Sequence, residues 1–155
     1  MTAVLVLAVN DRDGSGAPTA SPAPAARTLP PLPVDPPPAL PASGQKACRE
    51  LVSALPVTLG DRPARPVDSS SPYVAAWGEP PVVLRCGVPR PAALRPDSEV
   101  LDISGVTFFA APRGATTAYT TVDRSVYVEV VAPSGEASGP AARLATAISR
   151  ALPKR

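Results

Sequence analysis

Arginines, carboxylates and two cysteines carry whatever chemistry this chain can do, because none of its 155 residues is a histidine. That absence removes the commonest general base and the commonest metal ligand together. No Ser-His-Asp or Cys-His device can be built within the chain. Zinc would have to rely on Cys48, Cys86 and carboxylates, and those two cysteines form neither a C-x-x-C pair nor a zinc quartet. No metal and no cofactor is expected. The remaining acid–base candidates are Glu79, Glu99, Asp102, Asp123 and Glu129. Two carboxylates converging in one cleft would suit glycoside hydrolysis, but these five are spread over strand ends and turns. Alternation turns Asp102 and Glu129 outward, so a solvated face is expected for them, and the chain is not expected to be an enzyme.

Binding chemistry has better candidates. Arg85, with Arg90 and Arg124, would make an anion-binding patch of guanidinium forks; the competing role for Arg85 is a cross-strand pair with Glu129. Tyr127 falls on the same predicted sheet face as Arg85, with Tyr119 and Thr121 as candidate neighbours across a hairpin. Trp77 either plugs the core edge or stacks on a ligand. A net charge of +2 with singly scattered arginines provides no basic stripe, so no nucleic-acid partner is expected.

These residues need elements to hold them. Residues 1–10 open with the apolar run MTAVLVLAV, too short to span a bilayer, which takes about 20 residues. The run reads as the truncated end of an export or anchor segment, which would be the chain's only membrane contact. Residues 11–44 are rich in proline, alanine and serine without apolar periodicity and read as a disordered linker of polyproline II character. Its PPLP and PPP patterns allow docking to a proline-recognition module, and a plain spacer is the simpler use.

Residues 45–155 read as one α+β domain. In QKACRELVSALP, Cys48, Leu51, Val52 and Leu55 share one helical face, and Pro56 stops the helix. Gly60–Pro72 reads as a loop. In Val82–Val88, Val82, Leu84 and Cys86 point one way and Val83 and Arg85 the other. Glu99–Ala110 reads as two strands about Gly105, and Thr116–Val131 as a hairpin turning at Asp123-Arg124. Ser138-Gly139-Pro140 opens a last helix whose Leu144, Ala145, Ile148 and Leu152 face inward. The expectation is a two-layer sandwich, a mainly antiparallel sheet of four or five strands with two helices on one face. Cys48 and Cys86 then face one interior, where a structural disulfide, two buried thiols or a redox pair are the available states.

The strings AWGEPPVVLRCGVPRP, CRELVSALP and YTTVDRSVYVEV resemble a family of small secreted or membrane-anchored actinobacterial proteins known only as a domain of unknown function. The likeness covers Ala47 to Leu152. It implies export and a Cys48–Cys86 disulfide, and it implies no activity. Together these readings describe an extracytoplasmic domain with a non-enzymatic binding or accessory role at the cell envelope. Its partner would be an envelope component or a membrane protein. The alternatives are a carboxylate-dependent cell-wall hydrolase and an adaptor for a membrane protein, the latter needing an exposed apolar patch.

Overall fold

Among the described residues, ordered contacts begin in a stretch whose composition argues against them. The structure, a computed structural model, describes residues 28–155, so the apolar run and the linker up to residue 27 lie outside the described residues. Strand β1, Leu32–Pro33, pairs in parallel with β4, Val67–Asp68. Leu32 and Val34 donate their N–H groups to Pro66 O and Asp68 O at 2.9 and 3.0 Å. Pro33, which lacks a donor, sits between them, so every second residue supplies the ladder. Leu40 then packs against the core, and Pro41 leads into helix α1, Ala42–Ser53. Residues 28–44 are therefore laid onto the domain, in contrast to the linker expected from their proline content.

Helix α1 buries Cys48 and Leu51 of the predicted face together with Gly44, while Val52 is only half-buried and Leu55 lies beyond the helix end at Ser53. Helix α2, Gly139–Ala151, begins with proline in its first turn and buries Leu144, Ala145 and Ile148. Between them lie β2 (Thr58–Leu59), β3 (Arg62–Arg65), β5 (Val74–Trp77) and β6 (Val82–Cys86), then β7 (Leu101–Ile103), β8 (Val106–Arg113), β9 (Thr116–Thr121) and β10 (Val128–Pro133). These eight form one sheet in the order β2-β3-β5-β6-β10-β9-β8-β7, with every neighbouring pair antiparallel.

The class is α+β, and the count of four or five strands is corrected to eight. The added strands are β2, β3 and β5, with sequences TL, RPAR and VAAW. They are short and carry no alternation of large apolar residues, so their strand geometry is imposed by neighbours. One face of the sheet, with Val82, Leu84, Cys86, Val106, Phe108, Val128 and Val130, shares a single core with both helices.

The hairpin β9–β10 forms, but its register differs from a turn centred on Asp123-Arg124. Glu129 lies opposite Thr120, and Val130 opposite Tyr119. Partners across a ladder share a face, so Tyr119 and Thr121 belong with the core and not with Arg85. Thr121 is fully buried, and its Oγ1 accepts the Val128 N–H at 2.9 Å. The other sheet face is also less open than expected: Thr120 and Glu129 on it are each only 3% exposed. The chain leaving β6 covers them, with Val88, Pro89, Arg90 and Pro91 walling the same pocket as these two residues.

Candidate functional site

Strand β6 directs Cys86 inward and therefore its neighbour Arg85 to the opposite face. Ladder pairing sets Arg85 beside Glu129, and Glu129 beside Thr120, in one row across three strands. Arg85 donates from Nε to Glu129 Oε1 at 3.1 Å and from Nη2 to the same oxygen. Arg113, at the end of β8 before the tight turn at Gly114, reaches the other carboxylate oxygen, Oε2, with Nη2 at 2.8 Å. The Glu129 side chain is 4% exposed, Arg85 24% and Arg113 50%. A buried carboxylate is tolerable because two guanidiniums compensate it. Arg85, Arg90, Arg113, Thr120 and Glu129 line a pocket of about 240 Å³ between the sheet and the Val88–Ala92 segment. Arg85 thus makes the cross-strand pair with Glu129 and shares a pocket lining with Arg90, while Arg124, the third arginine of the expected patch, lies outside that lining.

The remaining candidates lie elsewhere. Arg124 is 3% exposed and is no part of a surface patch. Its Nη2 donates to Gly105 O at 2.5 Å and its Nη1 to Leu152 O at 3.4 Å, tying the β7–β8 turn to the end of α2. The residues after Leu152 are tied to the same loop, since the Ser125 N–H donates to Pro153 O and the Arg155 N–H to Asp123 O. Tyr127 has left the sheet: the Arg155 guanidinium lies 4.5 Å over its ring, beside a separate pocket of about 260 Å³ that Leu40, Val88 and Val126 also line. Trp77 is 1% exposed and donates its Nε1–H to Pro56 O at 2.9 Å, so it fills the core and offers no stacking face. Cys48 and Cys86 are joined by a disulfide with Cα atoms 5.7 Å apart, and both are fully buried.

Arg113 is the site residue that sequence reasoning missed. Its signal is parity: in a strand that buries Val106 and Phe108, Arg113 must face the other way. Asp61 and Glu136 were missed as well. They line a pocket of about 220 Å³ with Arg62 and Arg143. There Arg62 holds Glu136 through two bonds of 2.5 Å, and that hydrogen bond raises the Arg62 pKa above its ordinary value. The five carboxylates read as acid–base candidates do not form a pair around a cleft. Glu79 is bonded to Arg65, Asp123 accepts the Thr107 N–H and lies within ion-pair distance of Arg124 and Lys154, Glu129 is bonded to its two arginines, Asp102 accepts the Gly105 N–H, and Glu99 is exposed.

Among the described residues no helix is long and apolar enough to cross a membrane, and no three metal-ligating side chains converge. Comparison with curated proteins and with solved structures finds no similar chain. A family model does match, over residues 1–155, and the chain belongs to that family, described as protein of unknown function (DUF3515).

Proposed function

We propose that the chain acts outside the cytoplasm, at the cell envelope, as a non-enzymatic binding or accessory domain. The observation that carries this reading is the buried Cys48–Cys86 disulfide, a bond that persists in oxidising compartments and is rare where thiols are kept reduced. The apolar run at residues 1–10 supports it as part of an export or anchor segment. Binding is favoured over hydrolysis because the chain has no histidine and because basic partners engage Glu79, Asp123, Glu129 and Glu136. An adaptor resting on apolar contact has less support. Among the described residues the exposed large apolar ones are Val57, just before β2, and Val100 and Leu101, at β7. Those strands are the two opposite edges of the sheet, so these residues form no contiguous patch.

The test is to block free thiols in intact cells before lysis, then fractionate the cells and weigh the protein. The expected protein is in the envelope or medium and carries no blocking group, while prior reduction allows two to attach. Cytosolic protein with both thiols blocked would overturn the reading.

A further inference from the structure

The geometry points to a phosphoryl-binding site in the pocket formed by Arg85, Arg90, Arg113, Thr120 and Glu129, with a phosphate monoester as the ligand class. The inference rests on the reading of the chain as a binding domain and assigns that domain its ligand chemistry. Three guanidiniums and one carboxylate line the pocket, so its walls carry an excess of two positive charges. A phosphate monoester brings about −1.5 to −2 at neutral pH, which matches that excess. A single carboxylate would leave one guanidinium uncompensated.

Glu129 is the organiser and not the competitor. It is held by Arg85 on one oxygen and by Arg113 on the other, which keeps both guanidiniums at the site before any ligand arrives. Such preorganisation lowers the ordering cost of binding. Arg113 spends one N–H on Glu129, is half exposed and lines the pocket, so its other donors keep access to water or a ligand. Arg90 is exposed and has no ion-pair partner among the described residues. It sits between Pro89 and Pro91, whose fixed φ angles limit how far its backbone can wander. Planar forks of this kind are the groups that recognise phosphoryl oxygens in pairs. The volume, about 240 Å³, accommodates one phosphoryl group.

The test is titration of the full chain with inorganic phosphate, followed by amide and guanidinium NMR shifts, with acetate as the control anion. Saturable shifts are expected at Arg90, Arg113, Thr120 and Glu129, with acetate weaker by roughly tenfold. Arg113→Ala should weaken phosphate binding roughly tenfold or more, the loss of charge-assisted hydrogen bonds. Arg90→Ala removes an exposed side chain with no ion-pair partner among the described residues, so it tests the site even if Arg113→Ala disturbs the fold, and it should weaken binding several-fold. Absence of saturable shifts, equal binding of acetate, or wild-type binding by both variants would overturn the site. Glycerol phosphate and vesicles of phosphatidate in neutral lipid separate the two sources of the group. Binding to either supports the site, and binding to neither overturns it. A cytosolic, reduced protein that still binds phosphate through Arg113 would overturn the envelope reading and leave this site standing.

Discussion

Glu129 shows how far one side chain's environment departs from what its strand parity suggests. Alternation alone makes it a solvated surface residue, whose replacement would cost within about 0.5 kcal/mol. In the fold it is 3% exposed and bonded on both oxygens. Glu129→Gln keeps the shape but leaves Arg85 and Arg113 facing a neutral amide. The expected loss is about 1–3 kcal/mol in denaturant unfolding, below the cost of breaking a fully buried pair because both arginines retain water contact. A change under about 0.5 kcal/mol would show the triad to be energetically idle. Tyr119 supplies a second residue-scale expectation, through pH. Burial raises its pKa above 10.0, partly offset by a hydrogen bond with Thr117. The folded state therefore keeps the phenol neutral where the unfolded chain ionises it. Stability from this group is complete below pH 10 and falls as pH rises through the folded value. Tyrosinate absorbance should show one of the three tyrosines ionising late or only with unfolding, and Tyr119→Phe should abolish that late component while moving the alkaline unfolding midpoint upward.

At the scale of elements, two glycines explain why the segment around Trp77 and Cys86 has the composition it has. A Cβ on Gly87, at φ +94, would stand 2.5 Å from Leu40 Cδ1, and one on Gly78, at φ +64, 2.6 Å from Arg62 Cγ. Both glycines thus let another element approach: the Leu40 segment before α1 in one case, strand β3 in the other. Gly87→Ala should destabilise by about 1–2 kcal/mol from the positive φ alone, with NMR changes that reach Leu40. An alanine variant without any NMR change at Leu40 would mean that the Leu40 segment does not rest on Gly87. What could be read from the sequence follows the same logic. Helices α1 and α2, strand β6 and the β9–β10 hairpin were legible because large apolar residues repeat at period 3.6 or 2. Strands β2, β3 and β5 were not, since RPAR and VAAW have no such repeat. The pairing of Leu32 with Val67 is a long-range event that proline content conceals. Of the candidate site, Arg85, Glu129 and Arg90 were legible from strand parity and proximity in sequence. Tyr127 and Arg124 were misplaced because the turn joining β9 and β10 is a longer loop than Asp123-Arg124, which changes both the register and the directions of those side chains.

At the scale of the whole molecule, the disulfide joins the two layers on which the site depends. Cys48 belongs to α1 and Cys86 to β6, the strand that also carries Arg85. In the chain-entropy account a bridge closing a loop of this length stabilises by roughly 4 kcal/mol, against a total of about 5–15 kcal/mol for a domain. Losing it would raise the unfolded fraction about a thousandfold. The oxidised fold can therefore be firm while the reduced one is marginal, which couples where the protein resides to whether its pocket exists. The double variant Cys48→Ala/Cys86→Ala should lower the urea midpoint by about 2 M, and reductant should do the same to the native chain while leaving the double variant unchanged. Reduction without any shift would show that packing of α1 on the sheet suffices. The bridge would then carry no information about compartment, and the envelope reading would lose the observation it stands on.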